Sequence, residues 1–249
     1  MNHIKTIAQE LGLNEKAVEA AVNLIDEGNT IPFIARYRKE ATGSMDDQVL
    51  RKLGERLDYL RGLDKRRDEV KRSIEEQGAM TEELAQKLEV AETLARLEDL
   101  YRPYRPKRKT RASVARARGL APLAELLLAQ NSGTDPEKAA ADYLSGEVPD
   151  TAAALAGARD ILAEQFSDDA ALRQELRELY QRTALLASKA ADAEKESVYE
   201  QYYDYAEPVS KVAGHRILAV DRGEREGFLK VSIQAESEQA AALLRRRFV

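Results

Sequence analysis

A run of basic residues without acidic ones is the feature of this sequence most suited to chemistry. Eight lysines and arginines and no acid lie between Arg102 and Arg118, a stretch we call the basic segment. Because like charges repel, such a cluster needs phosphates, or acidic side chains of the same protein, to neutralise it. Taking its charge of +8 from the net charge of −5 leaves −13 on the rest of the chain. Both ways of neutralising the segment are therefore open.

The start of the basic segment favours contact with a nucleic-acid backbone. Pro103 and Pro106 lack a backbone N–H and predict an extended or irregular conformation. Tyr101 and Tyr104 could stack on a base of RNA or DNA. We expect six side chains to contact phosphates independently of sequence: Arg102, Arg105, Lys107, Arg108, Lys109 and Arg111. Three further cations could join the same surface: Arg36, Arg38 and Lys39.

Motifs of catalysis are missing from the sequence. The chain has two histidines, His3 and His215, no cysteine, and no phosphate-binding P-loop, nucleophile elbow or His-Glu-x-x-His helix. Asp221 follows a β-prone run, as an aspartate follows the first strand of RNase H-like nucleases, but a two-metal site needs further carboxylates. An ordinary turn residue is the favoured interpretation of Asp221. We predict no enzyme activity, no catalytic or metal-ligating residue and no cofactor.

Composition predicts a mainly helical cytoplasmic protein. The 249 residues include no Cys, 7 Pro and 13 Gly, and 33% of them are charged. Absence of cysteine is typical of a reducing compartment, and the chain has neither a signal peptide nor a run of about 18 apolar residues that could span a membrane. Ala, Leu, Glu and Arg recur throughout, and these residues favour helices.

Apolar spacing predicts the elements of the first half of the chain. Residues 4–11 and 18–25 repeat the i, i+3, i+4, i+7 pattern of amphipathic helices, and Asn14 is an expected N-cap. This helix pair predicts a helix-turn-helix-like bundle. Leucines 50, 53, 57 and 60 then predict one long helix, or a helical hairpin that bends around residues 61–66. We expect a first domain over residues 1–78.

The second half predicts more helices and one β-hairpin. Three helices are expected over residues 121–130, 136–144 and 151–166, and a heptad-like seam predicts a long helix from Asp168 to about Ser197. Four tyrosines between residues 199 and 205 favour a packing cluster over a base-stacking platform. The runs 217–220 and 228–233 predict a hairpin, after which a helix begins near Ser237 and is interrupted by the end of the chain. We expect domains over residues 79–210, a long-helix scaffold, and 211–249.

Three stretches of the sequence resemble one known family. They are residues 31–43 (IPFIARYRKEATG), residues 100–112 (LYRPYRPKRKTRA) and residues 215–224 (HRILAVDRGE). All three are similar to the N-terminal region of the bacterial Tex family of transcription accessory proteins. The resemblance covers essentially the whole chain.

The resemblance implies an elongated, mainly helical, cytoplasmic protein associated with nucleic acid. Family members continue into an RNase H-like domain, helix-hairpin-helix modules and an S1 domain, and nucleic-acid binding is attributed chiefly to the S1 domain. Because the RNase H-like domain lies further along, the resemblance also removes Asp221 from consideration. The sequence is thus expected to be a fragment of a longer protein.

Taken together, the predictions describe a non-catalytic helical scaffold that supports RNA or DNA association in transcription. The alternative is a scaffold that binds protein, either RNA polymerase or the C-terminal domains of the same chain, without touching nucleic acid. In that case, acidic faces of the protein or of its partner would neutralise the basic segment.

Overall fold

The computed structural model describes residues 2–106 and 109–249, which divide into two compact units. The first unit spans residues 1–104 and the second spans residues 105–249. Among the described residues, no helix is both long enough and apolar enough to cross a membrane. The expected domain boundaries at residues 78 and 210 stay predictions.

The first unit is built from α-helices. Its described residues form six: α1 (His3–Leu11), α2 (Glu15–Asp26), α3 (Ile31–Tyr37), α4 (Asp47–Glu76), α5 (Glu82–Glu89) and α6 (Leu94–Tyr101). The two predicted opening helices are confirmed, and the Asn14 side chain caps α2 by accepting a hydrogen bond from the backbone N–H of Lys16 at 2.9 Å. The predicted leucine seam forms one continuous helix of 30 residues, α4.

Helix α4 is the central element of the first unit. Its leucine seam is at most 1% exposed, and α1, α2 and α3 pack against its first half. The second half of α4 buries Val70 and Ile74 and contacts α5 and α6. A seam of apolar residues at helical spacing thus organises a core along the whole length of α4.

The second unit combines helices with a small sheet. Its described residues form α7 (Arg111–Ala117), α8 (Ala121–Leu128), α9 (Pro136–Ala141), α10 (Thr151–Asp168), α11 (Ala170–Thr183), β1 (Leu185–Ala190), β2 (Asp204–Pro208), α12 (Gly214–Arg225), β3 (Leu229–Gln234) and α13 (Ser237–Phe248). The strand order is β2-β1-β3, and both pairings are antiparallel. In this register Ser188 of β1 lies opposite Tyr205 of β2 and Val231 of β3. The mainly α fold is confirmed.

The predicted hairpin of residues 217–233 is wrong. Residues 217–220 lie in α12, and only the second run forms a strand, β3, which pairs with β1. Helical spacing carries Val220 and Gly223 to the face of α12 that is buried against β3, where a Cβ on Gly223 would lie 2.6 Å from the Leu229 Cδ1. The packing of α12 against β3 therefore outweighs the β-propensity of residues 217–220.

The predicted long helix from Asp168 to Ser197 is also wrong. A helix ends at Asp168, α11 begins at Ala170 and ends at Thr183, and the chain then forms the central strand β1. The tyrosine cluster is a packing cluster, as predicted, since Tyr199 and Tyr202 are buried with Val220 and Leu229. The heptad-like spacing is misleading because residues 185–190 form the central strand of the sheet, and this strand depends on two partner strands that are distant in sequence.

Candidate nucleic-acid interface

The basic segment begins in a short turn at the end of the first unit. After α6, residues Arg102–Tyr104 form a single turn of 3-10 helix, which is more regular than the extended conformation predicted there. The Gln77 side chain donates a hydrogen bond from Nε2 to the Tyr104 carbonyl oxygen at 3.0 Å. Arg102 is exposed on this turn.

The predicted phosphate-contacting residues divide between the two units. Arg102 belongs to the first unit, whereas Arg105, Lys109 and Arg111 belong to the second and are all exposed. Lys107 and Arg108 lie outside the described residues. The Arg111 side chain is 88% exposed, and its Nε lies 3.5 Å from an Asp160 carboxylate oxygen.

Thr110, the residue that follows Lys109, is the N-cap of α7. Its hydroxyl accepts a hydrogen bond from the backbone N–H of Ser113 at 3.0 Å, and the Ser113 hydroxyl accepts one from the Thr110 N–H at 2.9 Å. This reciprocal capping satisfies two backbone donors that the first turn leaves unpaired. The Thr110 hydroxyl also donates to Glu164 Oε1 at 3.0 Å, which ties the start of α7 to α10.

Arg116 forms an ion pair with the same carboxylate, that of Glu164, within the second unit. Its Nη1 donates to Glu164 Oε2 at 2.6 Å, and the Glu164 side chain is only 15% exposed. Arg118 forms a looser pair, with 3.4 Å between its Nε and Glu147 Oε2. The fold therefore neutralises Arg116 itself, while Arg111 and Arg118 have long, solvent-accessible ion pairs that stabilise a protein by about 0–1 kcal/mol.

Two grooves follow the surface of α7. One, of about 480 Å³, runs between α7 and α10, and the other, of about 560 Å³, reaches Glu147. Lys109 and Arg118 line both grooves, and Arg111 lines the first. Arg118 was not among the residues predicted to contact phosphate, although its position in the basic segment was a signal for it.

Close helix packing forms the floor of the first groove. A Cβ on Gly157 of α10 would lie 2.4 Å from Leu120 Cδ1 and 3.3 Å from the Ala115 Cβ. Both neighbours are buried in the core that joins α7, α8 and α10. Gly157 thus lets α7 lie close against α10 and positions the cations along the groove.

Of the two tyrosines expected to stack on bases, Tyr101 is used for packing. It is 8% exposed, its hydroxyl lies 3.0 Å from the Ser73 hydroxyl, and the Arg66 guanidinium lies 5.5 Å from its ring centroid. A base has no access to this ring. Tyr104 is half-buried.

The structure places both enzyme-like residues of the sequence on α12. Asp221 lies within α12, not in the turn that was predicted, and forms an ion pair with Arg225 one helical turn later. His215 is exposed in the first turn of α12. Within residues 2–106 and 109–249, no three His, Asp or Glu side chains are grouped so that they could hold a metal ion.

Comparison with known proteins gives two matches that together cover most of the chain. Residues 1–75 match the Tex-like protein N-terminal domain, and residues 131–248 match the Tex central region-like family. The first match covers most of the first unit, and the second covers all of the second unit from α9 to α13.

Full-length relatives extend beyond this chain. The chain is 46% identical over 243 residues to the transcriptional accessory protein Tex of Neisseria gonorrhoeae, which covers 96% of this chain and 32% of that relative. It is 47% identical over 238 residues to protein YhgF of Escherichia coli, covering 94% of this chain and 31% of YhgF. It is 27% identical over 242 residues to the human S1 RNA-binding domain-containing protein 1, covering 92% and 24% respectively.

The chain spans about a third of the length of these bacterial relatives. The aligned residues make up 96% and 94% of this chain, so the similarity extends over both units. With the N-terminal domain and the central region both matched, the chain belongs to the Tex family.

Proposed function

We propose that this chain is a non-catalytic helical scaffold of a transcription accessory factor, and that it supports association with RNA or DNA through the basic segment. Arg102, Arg105, Lys107, Arg108, Lys109 and Arg111 are proposed to contact phosphates independently of sequence. The observation that carries the proposal is the exposure of Arg105, Lys109 and Arg111 in a stretch without acidic residues.

The ion pairs of Arg111 and Arg118 are weak enough for a phosphate to replace the carboxylate. An arginine whose carboxylate partner lies 3.4 to 3.5 Å away, in solvent, can exchange that partner for a phosphate at little cost. The grooves along α7 offer a place where a phosphodiester backbone would meet Lys109, Arg111 and Arg118 together. Counterion release would supply most of the affinity, so binding should fall steeply as salt rises.

A protein-binding scaffold is the second candidate, and the Arg116–Glu164 pair favours it. That pair shows that acidic residues of the chain itself neutralise part of the segment. RNA polymerase, or further domains of a longer protein, would then dock on the remaining cations. Transcription-related association is common to both candidates, and they differ in whether the segment touches nucleic acid.

Charge reversal separates the two candidates. We would change Arg105, Lys107, Arg108 and Lys109 to Glu and measure the affinity for single-stranded RNA and duplex DNA at low salt by fluorescence anisotropy. A matched variant carries the same change in net charge at four exposed lysines elsewhere: Lys5, Lys16, Lys52 and Lys65. Circular dichroism verifies that both variants are folded.

Phosphate contact predicts that the segment variant loses at least tenfold in affinity for both nucleic acids. The matched variant should lose much less, because only the general repulsion changes. Equal losses in the two variants, or no binding by the unaltered chain at low salt, would favour the protein-binding scaffold.

A further inference from the structure

The first unit presents two exposed aromatic rings on a short helix. Phe33 is 37% exposed and Tyr37 is 60% exposed. They lie four residues apart on α3 and therefore on one face of it, with ring centroids 5.1 Å apart and planes tilted by 45°. Large aromatic side chains are usually withdrawn from solvent, so two neighbouring exposed rings point to a binding surface.

Three basic residues lie next to these aromatic residues in the sequence. Arg36, Arg38 and Lys39 are exposed, and none of them forms an ion pair with another described residue. The Arg38 guanidinium lies 5.5 Å from the Phe33 ring centroid. We call the two aromatic and three basic residues the aromatic patch.

The aromatic patch is held in place by buried anchors. Ile34, between the two rings in sequence, is fully buried in the core of the first unit. Thr42 is also fully buried, and its hydroxyl donates to the Arg38 carbonyl oxygen at 3.0 Å. Two successive left-handed residues, Gly43 and Ser44, then turn the chain into α4. This anchoring fixes the backbone that carries the exposed side chains, so their exposure is not fraying.

We propose that the aromatic patch is a second nucleic-acid site, specific for single strands, in which Tyr37 stacks on a base while Arg36, Arg38 and Lys39 contact the flanking phosphates. Aromatic rings interleaved with cations match the alternation of bases and phosphates along a single strand. Bases in a duplex are already stacked and offer no face to Tyr37. In its choice of ligand class the inference rests on the proposed function, but it concerns a different surface.

Substitution at Tyr37 tests stacking without changing charge. Tyr37→Ala removes the ring, whereas Tyr37→Phe keeps it. Tyr180→Ala is the control, since Tyr180 is an exposed tyrosine on α11 of the second unit. Affinities for labelled oligouridylate, oligothymidylate and a duplex of equal length would be measured by fluorescence anisotropy, in the chain with an intact basic segment.

Stacking predicts that Tyr37→Ala weakens binding of one or both single strands by at least about fivefold and leaves duplex affinity unchanged. Tyr37→Phe and Tyr180→Ala should bind as the unaltered chain does. The two single strands show whether the site accepts ribose, deoxyribose or both. The aromatic patch is rejected if Tyr37→Ala and Tyr37→Phe bind equally well, or if Tyr37→Ala weakens the duplex to the same extent.

Photo-crosslinking gives an independent readout on the unaltered chain. An oligonucleotide containing 5-iodouracil should crosslink to the peptide that carries Phe33 or Tyr37, identified by mass spectrometry. Crosslinks confined to the second unit would overturn the inference while supporting the basic segment. Conversely, crosslinks at Tyr37 in the variant with the reversed basic segment would show that the patch acts alone.

Discussion

At the scale of single residues, Arg67 is a cation buried in the first unit, and its charge needs hydrogen-bond partners there. It is 3% exposed, and it donates from Nε to the Leu88 carbonyl oxygen at 3.0 Å and from Nη2 to the Ala91 carbonyl oxygen at 2.9 Å. These carbonyls lie at the C-terminal end of α5, where the helix dipole favours a cation. A third bond goes to Asp64 on the same helix as Arg67.

Removing this buried cation should destabilise the first unit strongly. Arg67→Met keeps part of the apolar stem but removes a hydrogen bond from each of two buried carbonyls and the ion pair with Asp64, at a cost of roughly 3 kcal/mol in the free energy of unfolding. Arg61→Met on the same helix breaks a half-exposed pair with Asp26 and should cost less than about 1 kcal/mol. Urea unfolding followed by circular dichroism measures both, and equal costs would contradict this role for Arg67.

Asp64 makes the stability of the first unit depend on pH. Burial raises the pKa of its carboxyl, but hydrogen bonds from His3 and Arg67 outweigh burial, so the pKa lies below its usual range. A carboxyl with a lowered pKa in the folded state stabilises the protein above its unfolded pKa, about 3.9, and this contribution is lost as the pH falls through the folded pKa. Asp64→Asn should therefore unfold more easily at pH 7 and lose less stability between pH 5 and pH 2.5. Urea unfolding across this range checks it, and parallel pH profiles would contradict it.

At the scale of elements, two helical glycines should respond oppositely to the same substitution. A Cβ at Gly157 of α10 meets Leu120 and Ala115, so Gly157→Ala should overpack the α7–α10 contact and destabilise by about 1–3 kcal/mol. Gly62 of α4 is exposed, with nothing within 4 Å of an added Cβ, so Gly62→Ala should stabilise by about 0.5–1 kcal/mol through helix propensity. Thermal unfolding measures both, and changes of the same sign would contradict the account.

Elements whose partners are near in sequence could be predicted, and those with distant partners could not. The leucine seam of α4 and the Asn14 cap are local signals, and both were correct. Strand β1 pairs with residues 204–208 and 229–234, so its six residues continued an apparent heptad seam when read alone. Residues 217–220 are β-prone by type, yet the contact of Gly223 with Leu229 places them on a helix.

The candidate site was predictable in composition and less so in geometry. The basic segment is evident from eight cations without an acid, but the burial of Tyr101 and the Glu164 partner of Arg116 depend on contacts 28 and 48 residues away. The exposure of Tyr37 could not be predicted from the sequence, because only the fold determines which residues of the stretch 31–43 reach the surface. Long-range packing thus decides which residues of each motif remain accessible.

At the scale of the whole molecule, both proposed surfaces assign the chain a role in holding nucleic acid. An acidic protein gains from concentrating its exposed cations, because a localised positive surface attracts phosphate even when the net charge is −5. The basic segment is proposed to contact single and double strands alike, whereas the aromatic patch is proposed to accept single strands. Loss of one surface should therefore leave the other measurable.

The salt dependence of binding tests the central claim most directly. Each phosphate contact on a single strand contributes about 0.7 to the slope of log affinity against log salt. Changing Arg105, Lys107, Arg108 and Lys109 to Gln should lower the slope for single-stranded RNA by about 3, if all four residues contact phosphate. An unchanged slope, or no binding by the unaltered chain at the lowest salt, would show that the basic segment does not hold nucleic acid.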